Sequence, residues 1–93
     1  MHKVIVVGTV QDMKRWEKGF RTHADIFKTQ SIISPIEFAA PTSGGQVAVL
    51  FQVGDLDTFH KVMESSVTAE AMAQDGFNKN SAKIFVLDKE FRF

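Results

Sequence analysis

The chain has 93 residues. That is enough for one domain with one modest core, a chain of this size burying roughly 60–65% of its unfolded surface. Hydrophobic residues make up 44% and charged residues 24%, a globular mix that excludes a disordered tail. Eleven basic side chains cancel eleven acidic ones and cysteine is absent, which argues against a nucleic-acid or anionic-membrane partner and excludes disulfides, thiolate metal sites and cysteine nucleophiles.

Val4-Ile5-Val6-Val7 opens the chain as an apolar strand that runs on toward Val10. This run and Val47–Phe51 are the longest unbroken apolar stretches, far short of the ~20 residues that span a bilayer. His2-Lys3 before the first run faintly resembles a signal peptide, but Gly8-Thr9 interrupts it, Gln11-Asp12 and Lys14-Arg15 follow at once, and no small-residue cleavage site is present. A cytoplasmic protein, intact from its first residue, is the expectation.

Asp12 stands where a helix N-cap belongs, its carboxylate suited to exposed backbone N–H groups and to the helix dipole. The spacing of Met13, Trp16, Phe20, Ala24 and Phe27 predicts a first helix over 13–28 with those residues as its buried stripe. Gly19 inside it costs about 1 kcal/mol against alanine, and its bareness suggests a close neighbour. Strand two is expected over 32–40, with Pro35 marking it as an edge strand. Pro41-Thr42-Ser43-Gly44-Gly45 reads as a hairpin connection, and with no helix start behind it the glycine pair is a turn rather than a phosphate cradle.

Strand three covers Val47 to Val53, and Asp55 caps a second helix with Leu56, Phe59, Val62 and Met63 inward. Ser65-Ser66 interrupts that helix, Ser66 capping a further turn or two through Ala73. Gly76 looks like a left-handed terminator with Phe77 touching Met72, as in a Schellman ending. Strand four is expected at 83–87, continuing toward Phe91. Phe91 and Phe93 keep one parity while Asp88, Glu90 and Arg92 keep the other, so the tail either extends the strand or crosses onto a partner subunit.

Shifted by about forty residues, the chain nearly overlays itself. Val4–Val7 falls on Val47–Leu50, Val10 on Val53, Asp12 on Asp55, Met13 on Leu56 and Trp16 on Phe59, at one constant offset. Two copies of strand–helix–strand imply an α+β, ferredoxin-like βαββαβ domain over 1–93 with a four-stranded antiparallel sheet. Two helices cover one face of such a sheet, and the other face then alternates polar residues toward water. Strands one, three and four are instead apolar at both parities, through Val47–Phe51 and Ile84-Phe85-Val86-Leu87. A second copy of the same sheet is the economical cover, giving an isologous homodimer with sheets face to face.

Asp12, Trp16, Phe20 and His23, then the Val47–Val53 strand, Asp55-Leu56 and Ala69-Glu70-Ala71-Met72 before Gly76, resemble the small dimeric α+β-barrel proteins. These include antibiotic-biosynthesis monooxygenases, haem-degrading monooxygenases, muconolactone isomerases and stress-responsive barrel proteins. The resemblance spans nearly the whole chain, and it implies the same fold, a dimer, and a cleft between sheet and helices in each protomer. Its motifs are structural rather than catalytic. The first strand lacks the asparagine that haem-degrading relatives share, the only asparagines being Asn78 and Asn80 in a late loop. Tyrosine, a frequent phenol-contacting group of the monooxygenase relatives, is absent.

Trp16, Phe20 and His23 fall on one helical stripe, with the imidazole toward the far end. His23 is then either a pocket base or anchor, with proton affinity tunable near neutrality, or a core-edge histidine bonded to backbone or water. Trp16 and Phe20 are either core or ligand platform, and Phe51 and Met63 either core or part of an apolar pocket, as Met13 and Met72 are. Glu37 interrupts strand two, either pointing into the cleft as an acid or base or carrying a charge that deters edge pairing. His60 reads as partner-facing or solvated, and His2 carries no weight. No histidine spacing signals a metal, and no cofactor is expected. The expected function is binding of a small hydrophobic or aromatic molecule by Trp16, Phe20, Phe51, Met63 and Glu37, with His23 as polar anchor. The alternatives are a cofactor-independent monooxygenase or isomerase with His23 as base, and a non-catalytic structural or regulatory dimer module.

Overall fold

A computed structural model describes residues 2–41, 44–89 and 91–92. The element order is β1 (His2–Val10), α1 (Met13–Phe20), α2 (Ala24–Thr29), β2 (Ile32–Ala39), β3 (Gln46–Val53), α3 (Leu56–Met63), α4 (Ser66–Gln74) and β4 (Phe77–Leu87). The strands form one antiparallel sheet in the order β2-β3-β1-β4. This is the ferredoxin-like α+β arrangement with each of its two helices broken in two. Among the described residues no helix is long and apolar enough to cross a membrane.

The repeat has a common physical start in both halves. β-branched residues extend β1 and β3, and an aspartate in extended backbone then turns each chain into a helix. Asp12 Oδ1 accepts the Arg15 N–H at 3.1 Å, and Asp55 Oδ1 accepts the Thr58 N–H at 3.1 Å. Alternate residues of the two central strands, Val4, Val6, Val47, Val49, Phe51 and Val53, point to the helices and form the core with Trp16 and Phe59.

The continuous helix expected over 13–28 is corrected to α1 and α2 with a turn between. The Thr22 N–H donates to Gly19 O at 2.9 Å, the Thr22 hydroxyl donates to the same carbonyl at 2.6 Å, and the His23 N–H donates to Phe20 O at 3.2 Å. These short-range bonds compete with the helical ladder just after its weakest helix former, and the chain restarts at Ala24. His23 is therefore the N-cap residue of α2, not a member of the Trp16–Phe20 stripe.

The break at Ser65-Ser66 is present, with Ser65 rather than Ser66 as the cap; its Oγ accepts the Thr68 N–H at 3.4 Å. Gly76 ends α4 in the left-handed region at φ +72°, and its N–H donates to Ala73 O at 3.2 Å. β4 starts at Phe77, earlier than the pattern suggested, so Asn78 and Asn80 lie in a strand. A bulge is the reason: between the Val7–Lys83 and Thr9–Asn78 pairs the register shifts, and Ser81 Oγ takes the Thr9 N–H at 2.8 Å in place of a ladder partner. β2 is an edge strand, and its register breaks between Ile33 and Glu37, around Pro35.

The sheet face away from the helices reads in rows across β2, β3, β1 and β4: Glu37–Leu50–Ile5–Phe85, Ala39–Ala48–Val7–Lys83 and Ile33–Gln52–Lys3–Leu87. Ile5, Val7, Ala48, Leu50 and Leu87 are half-buried, and Phe85 is 49% exposed. Phe91 is exposed, while Glu90 and Phe93 of the tail, and Thr42 and Ser43 of the hairpin, lie outside the described residues.

Candidate functional site

The turn that separates α1 from α2 places His23 against the far end of α4. Its Nε2 lies 2.8 Å from Asp75 Oδ2, with the two side chains 14% and 9% exposed. An ionised carboxylate only accepts, so Nε2 carries the hydrogen of this bond and the neutral imidazole keeps its lone pair on Nδ1. No described residue donates to that nitrogen.

Asp75 is the C-cap of α4, where a negative charge opposes the helix dipole. Two features hold it there. A Cβ at residue 19 would lie 2.6 Å from the Asp75 Cγ and closer still to Oδ1, so the carboxylate rests in space that only glycine leaves open. Arg15 covers the adjoining carbonyls, Nε donating to Gln74 O at 3.0 Å and Nη2 to the same oxygen at 2.6 Å. Its positive charge sits where the helix terminus is negative and ties α1 to α4.

Beside the His23–Asp75 pair lies a partly open cavity of about 90 Å³ between the sheet and the helices, with an almost wholly apolar lining. Trp16, Phe20 and Phe27 form its aromatic wall, Val49 and Phe51 its floor on the sheet, and Met63 and Met72 border it from α3 and α4. Phe20 is the hub of the wall, with ring centroids 5.2 Å from Trp16, 4.9 Å from Phe27 and 5.0 Å from Phe38. The Arg21 guanidinium lies 4.8 Å from the Phe38 ring centroid, a cation–π contact that braces the outer side of that cluster.

Two polar side chains, Gln30 and Thr68, line the cavity at the other end of α2. Gln30 is 3% exposed; its Nε2 donates to Thr68 Oγ1 at 3.1 Å and lies 3.3 Å from Met63 Sδ. The following residue is strained: Ser31 has φ 62°, the left-handed region that a non-glycine residue avoids. Its conformation is held by two bonds, the Asp55 N–H donating to Ser31 Oγ and the Gly54 N–H to Ser31 O, each 3.0 Å. The end of α2 is thereby clamped to the start of α3.

His23, Trp16, Phe20, Phe51 and Met63 all border this cavity. Glu37 does not: it is exposed and pairs with Leu50 on the open face, so its expected place in the cleft is corrected. Even positions of β2 face the core on both sides of the irregularity, Ile32 before it and Ile36 and Phe38 after it, so Glu37 shares the open face with Ile33. His60 is exposed on α3 beside Phe59, far from convergence with His23 in role or burial. Asp75, Gln30 and Thr68 escaped the sequence reading. Asp75 left a signal, an acid at a helix C-terminus where the dipole disfavours it, and Gly19 left its complement. Gln30 left none.

No protein-family model matches the chain, and no curated protein matches its sequence. Solved structures do match. A proposed antibiotic biosynthesis monooxygenase from Bordetella bronchiseptica superposes with a TM-score of 0.71 at 11% identity, covering 97% of each chain. SnoaB, a cofactor-independent oxygenase from Streptomyces nogalater, gives 0.66 at 12% identity over 99% of this chain and 97% of its own. A further antibiotic biosynthesis monooxygenase gives 0.65 at 8% identity over 97% and 99%. The fold is that of the antibiotic-biosynthesis-monooxygenase-like α+β proteins.

Proposed function

We propose that this protein binds a compact hydrophobic or aromatic molecule in the cleft between sheet and helices, as a homodimer joined through the open sheet face. The observation that carries the binding site is the convergence of an aromatic wall on one imidazole whose orientation is fixed by a buried carboxylate. An apolar cavity lined this way rewards a guest with dispersion and ring contacts and offers His23 Nδ1 as a directional acceptor at that end. The volume sets the size. An apolar cavity of ~150 Å³ admits benzene, so a cavity of about 90 Å³ takes a single ring only when Met63 or Met72 changes rotamer, which thioether side chains do readily.

The homodimer rests on the open face. Ile5, Val7, Leu50, Phe85 and Leu87 form an apolar strip across three strands, with Glu37 and Lys83 on the edge strands at its borders. A second copy covers such a strip with identical chemistry. Sedimentation at micromolar concentration is expected to give twice the 10.4 kDa chain mass; a stable species of the chain mass at high dilution would remove the dimer.

The binding site is tested through Trp16, the only tryptophan, whose indole N–H gives one NMR cross-peak at the cavity wall. Titration with phenol is expected to shift that peak saturably, and His23→Ala to weaken the interaction. A peak unmoved by phenol and by other single-ring aromatics would leave only the reading of a structural or regulatory dimer module.

The His23–Asp75 bond favours a catalytic elaboration of the same site. With Nε2–H held by the carboxylate, Nδ1 can take a proton from a phenolic hydroxyl or an activated carbon, and Asp75 then faces the imidazolium that forms. That is the proton transfer a cofactor-independent oxygenase or an isomerase requires, and SnoaB, of like fold, is a cofactor-independent oxygenase. On a responsive substrate His23→Ala abolishes turnover while leaving apolar binding in place; unchanged turnover would exclude His23 as the base.

A further inference from the structure

The hydrogen-bond chain at the inner end of α2 fixes more than a side-chain position. Thr68 has a single hydroxyl hydrogen, and it is committed to Val62 O at 2.7 Å. Thr68 Oγ1 can therefore only accept from Gln30, so the Gln30 amide must face it with Nε2, and Oε1 is turned to the other side. No described residue donates to Oε1. No buried side-chain nitrogen or oxygen lacks a partner among the described residues, so this unpartnered oxygen keeps contact with open space, and the space Gln30 borders is the cavity. A similar logic operates at the opposite end, where the Asp75 carboxylate takes the Nε2–H and the neutral His23 ring keeps Nδ1 as its acceptor.

We infer that Gln30 is a specificity-determining residue of this cleft, and that the cleft selects neutral single-ring molecules carrying a hydrogen-bond donor at each of two opposite ends. This rests on the reading of the cleft as a ligand site. His23 and Gln30 cap the two ends of the six-residue α2, seven residues apart, which puts their backbones about 10.5 Å apart. A single ring with para donors is the compact scaffold that reaches from one acceptor toward the other. With the His23 ring neutral, both anchors accept: its Nε2–H is held by an ionised carboxylate at one end, and Gln30 faces a hydroxyl with its hydrogen spent at the other. A guest with neutral acceptors at its ends, such as a dicarbonyl, meets two lone pairs, and a guest with apolar ends leaves Gln30 Oε1 unpaired.

Three probes of similar shape separate the possibilities: 1,4-dihydroxybenzene kept reduced, 4-methylphenol and 1,4-dimethylbenzene, each followed by the Trp16 indole peak. Against an apolar inner wall a second hydroxyl costs desolvation and weakens binding; against Gln30 Oε1 it strengthens it. The diol is expected to bind the wild-type protein about 3- to 10-fold more tightly than 4-methylphenol. The conservative variant Gln30→Met is expected to remove that preference and to bind 1,4-dimethylbenzene more tightly than the wild-type protein, because no amide oxygen is then left unpaired. If the wild-type protein binds 4-methylphenol more tightly than the diol, the role of Gln30 is overturned while the cleft remains a binding site. If none of the three moves the indole peak, the cleft reading falls and this inference with it. The wild-type comparison decides the matter even where Gln30→Met fails to fold.

Discussion

Trp16 and Phe59 hold matching places in the two halves of the repeat, each on the first helix after an aspartate cap with the same 3.1 Å bond, yet their surroundings differ. Phe59 is fully buried against Phe51, ring centroids 5.5 Å apart, whereas Trp16 forms part of a cavity wall. The divergence begins in the second helix of each half. α4 has nine residues and buries Thr68 and Ala71, while α2 has six and buries none of its own. The shared start of the halves builds a scaffold, and the short, shallow α2 leaves the gap that the cleft occupies. His23 and Gln30 flank that helix, and the partners that orient them, Asp75 and Thr68, come from the other half.

The comparison breaks most visibly at the aromatic positions. Phe59→Ala empties fully packed space and is expected to cost about 3–5 kcal/mol in chemical denaturation. Phe27→Ala, on a half-buried ring beside existing open space, is expected to cost only about 1 kcal/mol. Equal losses would mean that the two halves are packed alike and that the cavity is not a feature of the folded protein.

The contact between halves gives the next effect. Gly19→Ala drives a methyl into the Asp75 carboxylate and is expected to destabilise by about 1–3 kcal/mol. In an Asp75→Ala background the obstacle is gone, and the same substitution is expected to stabilise by up to about 1 kcal/mol through helix propensity. This reversal of sign in a double-mutant cycle is specific to the pair; an unchanged penalty would show that something other than Asp75 needs the bare position.

Smallest are the two caps. Asp12→Ala and Asp55→Ala are each expected to cost about 1 kcal/mol, and to agree with one another, because the bond lost is the same in both halves. A large difference between them would confine the symmetry to the sequence.

Much of this was legible beforehand. The apolar strand runs, the paired aspartates, Pro35 at an edge and Gly76 as a left-handed terminator are local signals with local causes, and they carry the fold. Gly19 announced a close neighbour but not which one, since Asp75 reaches it through tertiary packing alone. The apolar spacing of Ala24 and Phe27 favoured one long helix, and the Thr22 hydroxyl bond that divides it carries no periodic signature. Glu37 is ambiguous in the sequence because Pro35 interrupts the pairing, and nothing local says that the shift there is two residues and leaves the parity of the strand unchanged. Gln30 was invisible because its importance lies in where the Thr68 hydrogen goes.

The central claim is that Asp75 holds the His23 imidazole with hydrogen on Nε2 and a free lone pair on Nδ1 facing a guest. Nitrogen-15 NMR of the His23 ring reports this directly. The neutral ring is expected in the Nε2–H tautomer, with the Nδ1 resonance moving on addition of 4-methylphenol. An Nδ1–H tautomer, or a ring spectrum indifferent to every aromatic probe, would contradict the account.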